Sequence, residues 1–341
     1  MRVVFEIKHP ARVFMYGSVA RILEERGHET LFVHSGRPTA LRLLERMRLR
    51  HVPLPPTGGS LASRALGTLA NAGRLAGIAK EFRTDFMVDG VSSALVSRIL
   101  GLPHLFFFDS EPSRLVYLLV APLTRYFVHP SSYRGPRPPG KAVEVDASKE
   151  LAYLHPRRFR PSDEVFEYVG DKPYALLWKN TFTASHDISH YGFTLGEVVE
   201  IVRGLRELGL RVYAGSEGGL PAEVRRLSRP FPFPPELIHS AIYHARVVVT
   251  DAHTIAVEAA ILGTPVVRYN TFVGRGDLGV LRELEEVGLL TNARTPGEAY
   301  REALRLAAEG RNNRDLARRY AEGKVDLAEF LADLIEAGGG T

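Results

Sequence analysis

Short apolar runs alternate with longer helix-period stretches twice along this 341-residue chain, and nothing else in it narrows the fold as much. Val3–Ile7, His28–His34 and His51–Leu54 read as strands, separated by predicted helices over Val13–Arg26 and Thr39–Met47. In the first helix Val13, Phe14, Val19, Ile22 and Leu23 recur at helical spacing, and Gly27 stops it. Strands separated by helices pair in parallel, because only a crossover connection brings the chain back to the same edge. After a long helix over Leu61–Phe82 the rhythm continues through strands at Asp85–Val88, His104–Phe108, Tyr126–His129 and Lys141–Val145, with helices at Ser92–Leu100 and Leu115–Thr124. It restarts with strands at Tyr174–Trp178, Leu210–Ala214, Val247–Val249 and Pro265–Tyr269. Helices are predicted at Thr194–Leu208, Glu223–Leu227, Glu236–His244, Leu281–Glu286, Pro296–Glu309 and Asn313–Ala337, and Pro230–Pro235 reads as a Pro/Phe loop. The expected class is α/β, with two Rossmann-like doubly wound parallel-sheet domains facing across a cleft. The boundary is placed near Arg160–Pro161, giving domains 1–160 and 161–341, with the last helix free to pack back on the N-terminal one.

The sharpest local feature is Thr250–Pro265. The valine strand ends, the chain turns, and a helix opens near His253 and closes at Gly263 and Pro265. Such a turn aims backbone N–H groups and a positive dipole end at one point, which suits a phosphate or diphosphate. Asp251 or Thr254 is the expected cap. Glu258 lies one turn in, on the face of Thr254, where a carboxylate can accept hydrogen bonds from a ribose diol. An ordinary capped βα unit, with Glu258 merely solvated, fits the same residues.

Doubly wound sheets bind ligands at the carboxyl ends of their strands, so the residues that follow each strand are site candidates. They are His9 in the first half, with Asp89, Asp109 and Glu111 on one rim, although Asp89 reads better as a helix cap. In the second half they are Lys179, Arg268 and the polar loop carrying Ser185, His186, Asp187 and His190. Contiguous Ser-His-Asp cannot form a hydrolytic triad. A lone Lys, Arg or His is more often structural than functional.

The chain has no Cys, which excludes disulfides, thiolate metal sites and a Cys nucleophile. Its formal net charge of +5 fits anionic partners such as nucleotides. There is no interleaving of basic and aromatic residues of the kind that stacks bases, so no nucleic-acid partner is expected. Gln is absent and Arg far outnumbers Lys, a composition expected of a thermophile. The longest apolar run, Leu115–Leu123, is short and broken by Pro122, and no leader pattern opens the chain, so a cytoplasmic location is expected, with peripheral membrane contact through Leu115–Leu123 and Leu61–Phe82 as a weaker alternative to core packing.

The paired halves and the late turn look like a GT-B architecture. Lys8–Phe14, Leu23–Glu29, Ala184–Asp187, Glu258–Pro265, Leu278–Val280 and Glu285–Leu290 resemble a domain-of-unknown-function family of archaeal and bacterial GT-B glycosyltransferase-like proteins. More distantly, Thr250-Asp251-Ala252-His253-Thr254 with Glu258 is similar to the Thr-Asp-Ser-Gly-Gly motif of UDP-N-acetylglucosamine 2-epimerases, and Pro234–His239 to their base-binding loop. His253 and Thr254 stand where those enzymes carry the Gly pair, and His9 stands in for an Arg of their first loop. The resemblance implies a metal-independent glycosyltransferase-like protein using a nucleotide-diphosphate sugar, UDP-linked for preference. His9, Asp109 and Glu111 would be catalytic, and Lys179, Ser185, His186, Asp251, His253, Thr254, Glu258 and Arg268 would hold the donor, with no cofactor and a lipid-linked compound among the candidate acceptors. A 2-epimerase-like enzyme and a non-catalytic nucleotide-sugar binding protein are the alternatives.

Overall fold

The structure is a computed structural model that describes residues 1–339 except 36–37, 58–60, 181–190, 217–218 and 275, with backbone alone at 61, 62 and 64. Ser185 and His186, with the rest of their loop, lie outside the described residues. The chain divides into two compact units, the first comprising Met1–Tyr153 with Val325–Thr341 and the second Leu154–Lys324.

The strands of the first unit are β1 (Arg2–Ile7), β2 (Glu29–Ser35), β3 (His51–Leu54), β4 (Phe86–Val88), β5 (His104–Phe107), β6 (Tyr126–Pro130) and β7 (Ala142–Val145). They form one parallel sheet in the order β3-β2-β1-β4-β5-β6-β7. Val3, Val4, Phe5 and Ile7 are fully buried, as expected of a strand covered on both faces. Right-handed crossovers place the helices Pro10–Glu25 and Pro38–Arg46 on one face and Leu61–Glu81, Val91–Leu100 and Arg114–Val120 on the other. The helix Leu327–Gly339 packs on Pro10–Glu25.

The second unit has β8 (Tyr174–Lys179), β9 (Arg211–Ser216), β10 (Arg229–Pro230), β11 (Val247–Thr250), β12 (Val266–Arg268) and β13 (Thr291–Asn292). They too are parallel, in the order β10-β9-β8-β11-β12-β13. The helix Leu195–Glu207 opens with the capping box that Thr194 and Glu197 announce. Val247, Val248 and Val249 are completely buried between the helical layers, each contributing roughly 1.5–3 kcal/mol by burial.

Several expectations fail for local reasons. Part of the Pro/Phe loop is the edge strand β10, where a missing N–H costs no ladder bond. Leu151–Leu154 and Val165–Val169 are helical turns too short to show a period. The helix predicted over Asn313–Ala337 is two helices, Arg314–Glu322 and Leu327–Gly339. Gly323 caps the first, and the Val325 N–H is recruited by the carbonyl of Asp146.

Candidate functional site

In the second unit the chain runs outward from β8 to β9 and β10, then returns to place β11 on the other side of β8. The carboxyl ends of β8 and β11 therefore flank the point where strand order reverses, the place where open α/β sheets form a ligand crevice. Thr250, Trp178 and Arg268 stand side by side in the register there. Thr250 fixes the turn: its Oγ1 donates to the Trp178 carbonyl at 2.9 Å and accepts from the Ala252 N–H at 3.0 Å.

Neither Asp251 nor Thr254 caps the helix that follows. The helix is His253–Ile261, its N-cap is Ala252 in extended backbone (φ −92°, ψ 137°), and no side chain makes a cap hydrogen bond. Asp251 cannot reach forward because it points back under β8. Its carboxylate accepts from the N–H of Asn180 at 2.5 Å and from the N–H of Phe193 at 3.2 Å, and Lys179 Nζ lies 3.7 Å away. A β-carbon at Gly192 would collide with this carboxylate, which explains a glycine between the polar loop and Phe193. Among the described residues no side chain caps the helix start and its first turn holds no acidic residue; residues 252–255 are half-buried whereas 256–261 are buried.

Burial pushes the Asp251 carboxyl up to about 6, against the opposing pull of the Asn180 N–H and Lys179. A raised folded-state value means the contribution is complete below the unfolded value and is lost as pH rises through the folded one. Between about pH 4 and pH 6 the protein is expected to lose roughly 2–3 kcal/mol from this group. Urea unfolding of the native protein and Asp251→Asn across that range checks this. A stability difference that does not change with pH refutes it.

Glu258 and Arg268 are turned inward. Glu258 is 3% exposed, with Oε1 3.1 Å from Nε2 of His239, so the helical Glu and His239 meet inside the fold. Arg268 is completely buried and bound through both terminal nitrogens to Asp277 at 2.8 Å, with further bonds to Asn292 and Asn270. Its charge is spent within the rim, because a buried guanidinium needs a carboxylate of its own. Asn270 in turn donates to the Asp251 carbonyl at 2.9 Å, so Arg268 supports the turn from beneath. The His253 ring packs edge-on against Phe272 at 5.2 Å, and Thr254 is half-buried beside it. Lys179, at this edge, keeps partial exposure, its side chain 24% accessible.

In the first unit the reversal falls between β1 and β4. His9 follows β1 and caps the helix Pro10–Glu25, Nδ1 accepting from the Ala11 N–H at 3.3 Å. A neutral imidazole held that way carries its proton on Nε2 and acts there as a donor. Arg12, in the first turn, binds Asp109 at 3.2 Å and the Phe107 carbonyl at 3.1 Å, with Nε 3.5 Å from Asp89. Lys149 Nζ lies 2.8 Å from both Asp109 and Glu150. Glu111 accepts from the Arg134 N–H at 3.3 Å. Asp89 is not a helix cap either: the N-cap is Gly90, and the Asp89 carboxylate accepts the adjacent Gly90 N–H at 2.9 Å from a backbone at φ 59°.

The carboxyls of this cluster are driven apart. Burial raises Asp109, but Lys149 and Arg12 outweigh it and hold it below its ordinary value. Burial wins at Asp89 over Arg12, and at Glu150 over Lys149, so both sit above theirs. Separated values of this kind divide an ionised stabilising group from a proton carrier. Arg12, Lys149 and Glu150 were not singled out from the sequence. Arg12 was detectable as the first cation after a Pro-started helix at the reversal point; Lys149-Glu150 carries no local signal.

No protein-family model matches the chain, and no curated protein matches it. Among solved structures it resembles Methanocaldococcus jannaschii UDP-GlcNAc 2-epimerase in complex with UDP-GlcNAc and UDP, at 12% identity and a TM-score of 0.66, covering 99% of this chain and 100% of that one. It resembles Staphylococcus aureus MnaA bound to UDP at 13% identity and a TM-score of 0.66, covering 98% and 96%. The glycosyltransferase VinC in complex with dTDP matches at 14% identity and a TM-score of 0.61, covering 99% of each. At such identities the likeness is one of fold, the fold shared by UDP-GlcNAc 2-epimerases and GT-B glycosyltransferases.

Proposed function

We propose that this protein is a glycosyltransferase-like enzyme that takes a nucleotide-diphosphate sugar at the carboxyl ends of β8 and β11. The observation that carries the reading is the uncapped start of the helix His253–Ile261 at the strand-order reversal, with Lys179 at the same edge. The donor's diphosphate would lie against residues 252–255. As the C1–O bond to the sugar breaks, the departing diphosphate gains charge, which the helix end and Lys179 stabilise without a metal ion. The acceptor hydroxyl would lose its proton to a general base. In the first unit Asp89, whose carboxyl is raised by burial, suits proton transfer, while Asp109 suits charge stabilisation and His9 donation from Nε2. Glu258 and Arg268 fall to a supporting role under the turn.

UDP at a hundred times its Kd is expected to stabilise the fold by about 2.7 kcal/mol, read as a raised melting temperature. Thr254→Glu, which sets a negative charge at the helix start, is expected to abolish that shift. Failure of UDP, dTDP and their sugars to stabilise the native protein would sink the reading. A 2-epimerase-like reaction is the second reading, supported by the UDP-GlcNAc 2-epimerases that share the fold. UDP-GlcNAc incubated without acceptor separates them: release of UDP or an epimer supports epimerisation, and inert substrate supports transfer. Stabilisation without turnover on any donor and acceptor pair would leave a nucleotide-sugar binding protein.

A lipid-linked acceptor accords with Leu66, Leu69, Ile99, Leu115, Leu118 and Leu119, which are exposed on the three helices of one face of the first unit. Arg74, Lys80, Arg98 and Arg114 are exposed on the same helices. Among the described residues no helix is long and apolar enough to cross a membrane, so contact would be peripheral. Co-sedimentation with anionic liposomes, lost in Leu115→Ser/Leu118→Ser, is the expected result; a protein that stays in the supernatant rules the contact out.

A further inference from the structure

At the amino ends of β8, β11 and β12, about 13 Å of strand away from the Thr250 edge, the second unit holds a separate cavity of about 280 Å³. Its lining includes Lys172, Arg246, Arg311 and Arg314, against Asp171 alone among carboxylates. None of these four cations forms an ion pair among the described residues, whereas the half-buried Arg12 and Lys149 and the buried Arg268 all do. Four like charges around one hollow repel each other, and a fold keeps them together at a cost that a bound anion removes.

The cations are held in place. The Arg246 guanidinium lies against Gly310, at φ 64°, where a β-carbon would displace it. The Arg314 guanidinium stacks 4.0 Å from the Tyr243 ring and donates to the Tyr243 carbonyl at 3.1 Å, yet its Nε is buried without a hydrogen bond. His244 packs on Phe166 at 4.7 Å, and its Nε2 is likewise buried and unbonded, with Asp163 3.5 Å away. The helix Arg314–Glu322 begins at the cavity and its N-cap, Asn313, makes no side-chain cap bond. The unbonded Arg314 N–H beside a positive hollow is completed by an anion with several acceptor oxygens.

We propose that this cavity is a second anion site, selective for a phosphate or diphosphate group on a small molecule and independent of the donor site proposed above. The volume of about 280 Å³ is ample for a diphosphate.

Pyrophosphate titrated calorimetrically into Thr254→Glu, which closes the other edge, is the test. Binding is expected, and Lys172→Ala/Arg311→Ala in that background is expected to weaken it about a hundredfold, a charge-assisted contact being worth about tenfold for each cation. Both side chains are exposed and unpaired, so the variant should melt where its parent does. No binding of pyrophosphate or inorganic phosphate at millimolar concentration, or an affinity that the double substitution leaves unchanged, overturns the proposal. UDP binding more tightly than pyrophosphate in the same background assigns the site to a nucleotide, and equal or weaker binding assigns it to a free phosphate anion.

Discussion

Replacing Arg268 with Met is expected to cost about 3–5 kcal/mol of folding stability, the range for removing one partner of a buried ion pair. The Arg268 side chain is 0% exposed and that of Asp277 2%, so nothing replaces the lost charge. Asp277 would keep its bond from the Leu278 N–H, and Asn292 its bond to Glu285, but both would lose the group they were arranged around. Chemical unfolding measures the loss. Arg268→Met/Asp277→Leu should recover most of it, because removing both charges leaves no orphan. A single variant as stable as the native protein would mean that the pair contributes nothing. The defect should also reach the proposed ligand edge, since Arg268 holds Asn270 and Asn270 holds the Asp251 carbonyl. UDP should therefore raise the melting temperature of the single variant less than that of the native protein, measured at one ligand concentration.

Arg268 also shows how far the sequence could be read. Its position after a valine run marked it as the end of a strand, and the structure puts it there. A strand end at a ligand edge suggests a phosphate-binding Arg, but which way the side chain turns depends on Asp277 and Asn292, nine and twenty-four residues on. No local pattern encodes those contacts. The same holds at Asp251. An Asp two residues ahead of a helix is a natural candidate cap, but the N–H groups of Asn180 and Phe193 compete for its carboxylate, and both belong to the distant segment after β8. The fold was more legible because period and capping are local. Thr194 and Glu197 state their capping box within four residues, and the buried valines of β11 follow from β-branching and length. Short elements escaped for the complementary reason. Thr291–Asn292 and Arg229–Pro230 are strands only because a neighbour offers them an edge.

The first unit poses the same problem in its charge cluster, and there the expected effect is as large. Lys149→Met removes the cation 2.8 Å from both Asp109 and Glu150, the latter fully buried. Arg12 still reaches Asp109, so that carboxylate keeps one partner, whereas Glu150 keeps no cation within ion-pair distance among the described residues. A loss of about 3–5 kcal/mol is expected at neutral pH, and the penalty has a sign with pH. In the native protein Lys149 offsets the burial that raises Glu150 and, with Arg12, holds Asp109 low. Without Lys149 both carboxyls move up in the folded state. A raised folded-state carboxyl favours folding below its unfolded value and loses that contribution as pH rises. The gap between the native protein and Lys149→Met should therefore narrow as pH falls toward 4, where both groups protonate, and widen toward 7. Lys149→Arg, which keeps the charge, should retain more stability than Lys149→Met at pH 7. Unfolding curves for the three proteins at both pH values decide the matter. A gap of equal size at pH 4 and pH 7 would mean that Lys149 acts through packing alone.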